Sequence, residues 1–126
     1  MQIYFWRNIM TSAKIRYIQN IYEKKYGRLG RIAGRYVGAG YGVEFNHPTR
    51  YGPVSLLVRG RGSIMAIEVV ENNDKVDIEK IKVFIEKAKL LKAKPVLILY
   101  STGSKLSDDV RKLCMDNGVK IRRIKL

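Results

Sequence analysis

Acidic side chains are almost missing from the first half of this 126-residue chain. Glu23 and Glu44 are the only carboxylates in residues 1–62, against 11 lysines and arginines. Residues 63–126 carry 9 acidic and 14 basic side chains, so the net charge of +14 divides into +9 and +5. A cationic half with arginines set among tyrosines points to nucleic acid as partner. Cysteine is reduced to Cys114. That excludes an internal disulfide framework and fits a reducing, cytoplasmic setting. His47 is the only histidine. One His and one distant Cys make neither a zinc cluster nor a thiol–imidazole pair. No apolar run approaches the length of a membrane span. The opening MQIYFWRNIM is too short for a signal peptide and lacks a cleavage-site pattern, and Met10 is a second candidate start. Scarce cysteine and glutamine beside many Lys, Arg and Ile is the usage of a thermophile.

What is present is enough for one folded domain over 1–126, with 46% hydrophobic residues to bury. Ile15, Ile18 and Tyr22 recur at helical spacing in an N-terminal helix over 8–26. A second short helix follows in RLGRIAGRYVGAG. Its small residues Gly30, Ala33 and Gly34 suit close packing against a sheet. The period then changes to two. YGVEFNH reads as a strand, PTRYGP as a turn, VSLLVRG as a strand, RGRG as a tight hairpin and SIMAIEVV as a third strand. VDIEKIKVFIEKAKLLKA is a helix capped by Asp74 or Asp77, with Ile78, Ile81, Phe84, Ile85, Ala88 and Leu91 as its core stripe. KPVLILY is a strand buried on both faces. Ser107 caps the next helix, Gly118 ends it, and VKIRRI is the last strand. Cys114 falls on the apolar side of that helix, with Val110 and Leu113. The order α-α-β-β-β-α-β-α-β describes an α/β sandwich with a mixed central sheet and flanking helices.

The strand over 63–70 poses the functional question. Ile64, Ala66, Glu68 and Val70 share one face, so a single carboxylate sits in an otherwise apolar row. An ionised carboxylate in such a place needs a partner. Arg31 and Arg35 on the second helix are candidates. GAGYG follows a helix and lacks a Gly-Lys-Ser/Thr continuation, which excludes a nucleotide-binding loop.

The stretch from Gly27 to Asn72 resembles the resolvase-like branch of the PD-(D/E)XK nuclease superfamily, which includes the archaeal Holliday junction resolvases. GRLGRIAGRYV matches that branch's Gly-x-x-Gly/Ala-Glu-x-x-Ala helix, and GYGVEF its Gly-Tyr-x-Val strand. NHPTRYGPVSLL matches Asn-x-x-Thr-Arg-x-Gly-Glu-Ile-Asp-Leu, and AIEVV a strand ending in Glu-x-Lys. The resemblance implies a restriction-endonuclease-like core over 27–126, with 8–26 as an extra helix. It also implies that an Asp and a Glu on adjacent strands would hold Mg²⁺, with a Lys two residues after the Glu helping the attacking water. Here the helix-Glu position is Arg31, the Asp position is Ser55 (or Val54 in a looser alignment), Glu68 keeps its place, and the Lys position is Val70.

The leading expectation is therefore a nuclease fold that has lost catalysis and binds duplex or branched DNA, without a cofactor and as a homodimer. Arg28, Arg31, Arg35, Arg50, Arg59 and Arg61 are its nucleic-acid contacts, with Tyr36, Tyr41 and Tyr51 among them and His47 in a turn. An active Mg²⁺-dependent endonuclease is the alternative, with ligands moved to Glu44, Glu71 or Glu23 and the lysine to Lys75 or Lys80. A non-catalytic subunit of a nuclease or DNA-repair complex is the third, with MQIYFW and the first helix as contact surfaces. DNA is favoured over RNA, although the tRNA-splicing endonucleases pair catalytic and non-catalytic subunits on a related fold.

Overall fold

The computed structural model describes residues 12–70, 76–100 and 106–124. Its elements are α1 (Ser12–Tyr26), α2 (Arg28–Gly38), β1 (Gly42–His47), β2 (Val54–Gly60), β3 (Ser63–Val70), α3 (Ile78–Leu90), β4 (Lys94–Tyr100), α4 (Asp108–Asp116) and β5 (Lys120–Ile124). This is the order expected from the sequence. Contacts group the chain into two compact units, Met1–Val43 and Glu44–Leu126. Among the described residues no helix is long and apolar enough to cross a membrane.

In the first unit, α1 and α2 form a helical hairpin hinged at Gly27, whose φ of 61° suits glycine. The glycines of α2 meet α1. A Cβ on Gly30 would fall 1.9 Å from the Tyr22 carbonyl oxygen, and one on Gly34 would fall 2.9 Å from Gln19 Cγ. Gln19 Nε2 donates to the Gly34 carbonyl at 2.8 Å. The small residues therefore let two backbones approach, at the cost of helix propensity. Tyr36 and Tyr41 pack edge to face, 5.9 Å between ring centres, where α2 ends.

In the second unit the sheet order is β1-β2-β3-β4-β5. β2 and β3 are an antiparallel hairpin, closed between Gly60 and Ser63. Its two turn residues, Arg61 and Gly62, have φ of 53° and 74°, the signature of a type I′ turn. β3, β4 and β5 run parallel, so each crossover carries a helix. Asp77 caps α3 by accepting from Lys80 N at 2.7 Å, and Ser107 caps α4 by accepting from Val110 N. Asp74, the other expected cap, lies outside the described residues.

Both helices bury their apolar stripes in one cluster with the sheet. Leu57, Ala66, Val70, Leu97 and Leu99 meet Ile81, Phe84, Ile85 and Ala88 of α3 and Val110 and Cys114 of α4. The register explains which residues share that face. Leu57 lies opposite Ala66, Glu68 beside Leu97, and Val70 beside Leu99. The other face, with Leu56, Val58, Ile67, Val96 and Ile98, is equally buried.

Candidate functional site

Glu68 finds its partner one strand away. Counting back from the Gly60–Ser63 pair puts Ser55 opposite Glu68, one step beyond Leu56 and Ile67. Ser55 Oγ donates to one carboxylate oxygen at 2.7 Å, and Ser55 N donates to the other at 3.2 Å. The expected ion pair with Arg31 or Arg35 is replaced by this hydroxyl and amide. Arg31 sits instead 3.6 Å from Glu23. Adjacent strands bring short side chains together more directly than a packed helix brings a long one.

Ser55 and Glu68 lie in a groove of about 620 Å³ between the ends of β2 and β3 and the first turns of α3. Val70, Phe84 and Leu97 form its apolar floor, while Asp77, Glu79, Lys80 and Lys87 bring charge from α3. Lys87 Nζ also donates to the Pro53 carbonyl at 2.9 Å, tying α3 to the segment that leads into β2. Lys80 was legible in the sequence as a replacement lysine, and it does line the groove. Asp77, Glu79 and Lys87 were not foreseen there; their i, i+3 and helix-start positions beside a strand carrying Glu68 were the available signal. Lys75 and Glu71 lie outside the described residues.

Mg²⁺ asks for several hard oxygen ligands at short range. Glu68 offers one carboxylate here and Ser55 a neutral hydroxyl, while Val70 has no polar atom and is buried in the core. Among the described residues no three His, Cys, Asp or Glu side chains gather where a metal ion could be held. Among the described residues the donor set does not fit the ion. Glu44, expected as a second ligand, is engaged elsewhere: its carboxylate is 2.6 Å from His47 Nδ1 and 3.5 Å from Arg59 Nη1. His47 is thus an ion-pair or hydrogen-bond partner at the end of β1.

All six arginines named as nucleic-acid contacts are exposed. Arg28, Arg31 and Arg35 follow i, i+3, i+7 spacing, which places them along one side of α2. Arg31 and Arg59 have taken the two carboxylates of the acid-poor half, Glu23 and Glu44. These pairs are half exposed and add little stability. Arg61 sits at the β2–β3 turn, and Arg50 in the turn before β2, its guanidinium carbon 5.1 Å from the Tyr51 ring centre.

This arrangement defines a restriction-endonuclease-like α/β fold with a five-stranded mixed sheet, and solved structures bear the likeness out. One is a repair endonuclease from Pyrococcus abyssi, with a TM-score of 0.56 and 19% identity over 72% of this chain and 41% of that one. Another is a protein of unknown function, with a TM-score of 0.57 and 14% identity over 73% of this chain and 54% of that one. A third is SfsA of Pyrococcus furiosus in complex with Ca²⁺, with a TM-score of 0.54 and 12% identity over 79% of this chain and 55% of that one. The chain thus spans about half the length of these proteins or less. No family model and no curated protein matches the sequence. At such identities the likeness concerns the fold.

Proposed function

We propose that this chain is a DNA-binding protein on a nuclease-like fold that does not cut, and that it grips duplex or branched DNA through its exposed arginines. The observation that carries this reading is the state of Glu68. Both its oxygens accept from Ser55, which stands where the resembled nucleases have aspartate. The lysine position is a buried valine. Metal-assisted hydrolysis needs an ion to polarise phosphate and activate water. A carboxylate already held by a hydroxyl is a poor seat for one. What supports nucleic acid is the charge of +14 and the fold likeness to a repair endonuclease. The resolvase resemblance adds a homodimer to the reading.

The test is a gel assay with end-labelled four-way junction, flap and plain duplex DNA, run with Mg²⁺ and then Mn²⁺. A shifted, uncut band is expected. Cleavage that vanishes in Glu68→Ala would replace this reading with an active endonuclease. No shift with any DNA would favour the role of a partner subunit.

A further inference from the structure

We infer that Arg50 and Tyr51 form a stacking site for an unpaired nucleobase, with Arg50 contacting the adjoining phosphate. The inference rests on the DNA-binding reading and deepens it. Both residues are the central pair of a four-residue turn. Thr49 N donates to the Gly52 carbonyl at 3.2 Å and Gly52 N to the Thr49 carbonyl at 3.0 Å. Thr49 Oγ1 also donates to the Gly52 carbonyl and accepts from Tyr51 N. Gly52 has a φ of 110°, and a Cβ there would stand 3.5 Å from Lys87 Nζ. Lys87 Nζ of α3 donates to the Pro53 carbonyl, just past the turn, and ties that end of it to the helix.

The tip presents chemistry that the fold does not use. Tyr36 and Tyr41 pack on each other. Tyr51 instead stays 45% exposed, with the Arg50 guanidinium over its ring. A single ring is no cage for a cationic ligand, and the charge of Arg50 repels one. A ring beside a guanidinium suits a polyanion that carries aromatic faces. Bases inside a duplex already spend those faces on one another, whereas an unpaired base has one to offer. The turn also leads into Pro53 and Ser55, which line the groove.

The test compares the intact chain on a duplex with a single 2-aminopurine bulge and on the same duplex fully paired. Wild type is expected to bind the bulged DNA about tenfold more tightly, the scale of one base stacked on an aromatic ring, and to quench the probe. Tyr51→Phe should keep that preference. Tyr51→Ala and Tyr51→Leu should lose it, the ratio of bulged to paired affinity falling to about one whatever their affinity for the paired duplex. A preference that persists in both of these variants, or is absent from wild type, overturns the stacking site and leaves DNA binding standing. Failure of wild type to bind either DNA overturns both readings.

Discussion

A hydroxyl 2.7 Å from a half-buried carboxylate is a small feature with a measurable consequence. Ser55→Ala removes the Oγ donor to Glu68 and leaves the backbone amide in place. A hydrogen bond to a charged group is worth roughly 1.5–3 kcal/mol, and the open groove lets water recover part of it. We therefore expect Ser55→Ala to lower unfolding free energy in urea by about 1–2 kcal/mol; an unchanged midpoint would mean that water replaces the hydroxyl fully. Cys114 offers a pH test. It is fully buried, and burial raises its thiol above the 9.0 of an ordinary cysteine. Above that value the unfolded chain loses a proton that the folded chain keeps, so stability falls as pH rises. Its contribution is complete below about pH 9 and declines above it. Comparing urea midpoints of wild type and Cys114→Ala from pH 7 to 10.5 should show the steeper alkaline loss in wild type. Parallel curves would remove the thiol from the account.

The β2–β3 hairpin carries the site, and its turn contains a conflict. The first position of a type I′ turn favours Asn or Gly, yet it holds Arg61 at a φ of 53°. A residue kept in a strained conformation invites a functional reading. Arg61→Asn is expected to raise the melting temperature by a few degrees, the effect of about 0.5–1 kcal/mol in a domain of this size, and to weaken DNA binding. A rise in melting temperature with unchanged DNA affinity would place Arg61 outside the interface. The same hairpin shows what the sequence could reveal. Its two-residue turn and alternating pattern give the strand bounds 54–60 and 63–70, and these in turn set Ser55 opposite Glu68. Charge alone favours an ion pair with a helix arginine, whereas the register favours the hydroxyl of Ser55. The glycines of α2 were legible as a close-packing surface. Nothing in their spacing distinguishes a helix from a sheet as the partner, because Gly30 and Gly34 lie on one face in either case. The groove wall from α3 was least legible. Which turn of a helix overhangs a strand end depends on the crossover, and the spacing of Asp77, Lys80 and Lys87 does not contain that information.

At the scale of the whole molecule, the excess of positive charge is divided between two compact units. Arg28 and Arg35 stand exposed in the first, and Arg50 and Arg61 in the second. With 25 lysines and arginines against 11 carboxylates, ion pairs cannot neutralise this charge, and Glu23 and Glu44 are placed beside Arg31 and Arg59. If arginines on both units meet phosphates at once, binding must release counterions in proportion. About five contacts give a slope near −4.5 in log affinity against log salt, which is about a 500-fold loss between 50 and 200 mM salt. Alanine at one contacting arginine should flatten that slope by about one, with affinity for different sequences reduced alike. Arg28→Ala, Arg35→Ala, Arg50→Ala and Arg61→Ala, each titrated across salt on the same junction, therefore map the interface without a structure of the complex. Flattening in all four means that both units touch DNA together. Flattening confined to Arg50 and Arg61 assigns binding to the sheet unit and leaves the helical hairpin for another partner. Flattening confined to Arg28 and Arg35 does the reverse and assigns binding to the helical hairpin.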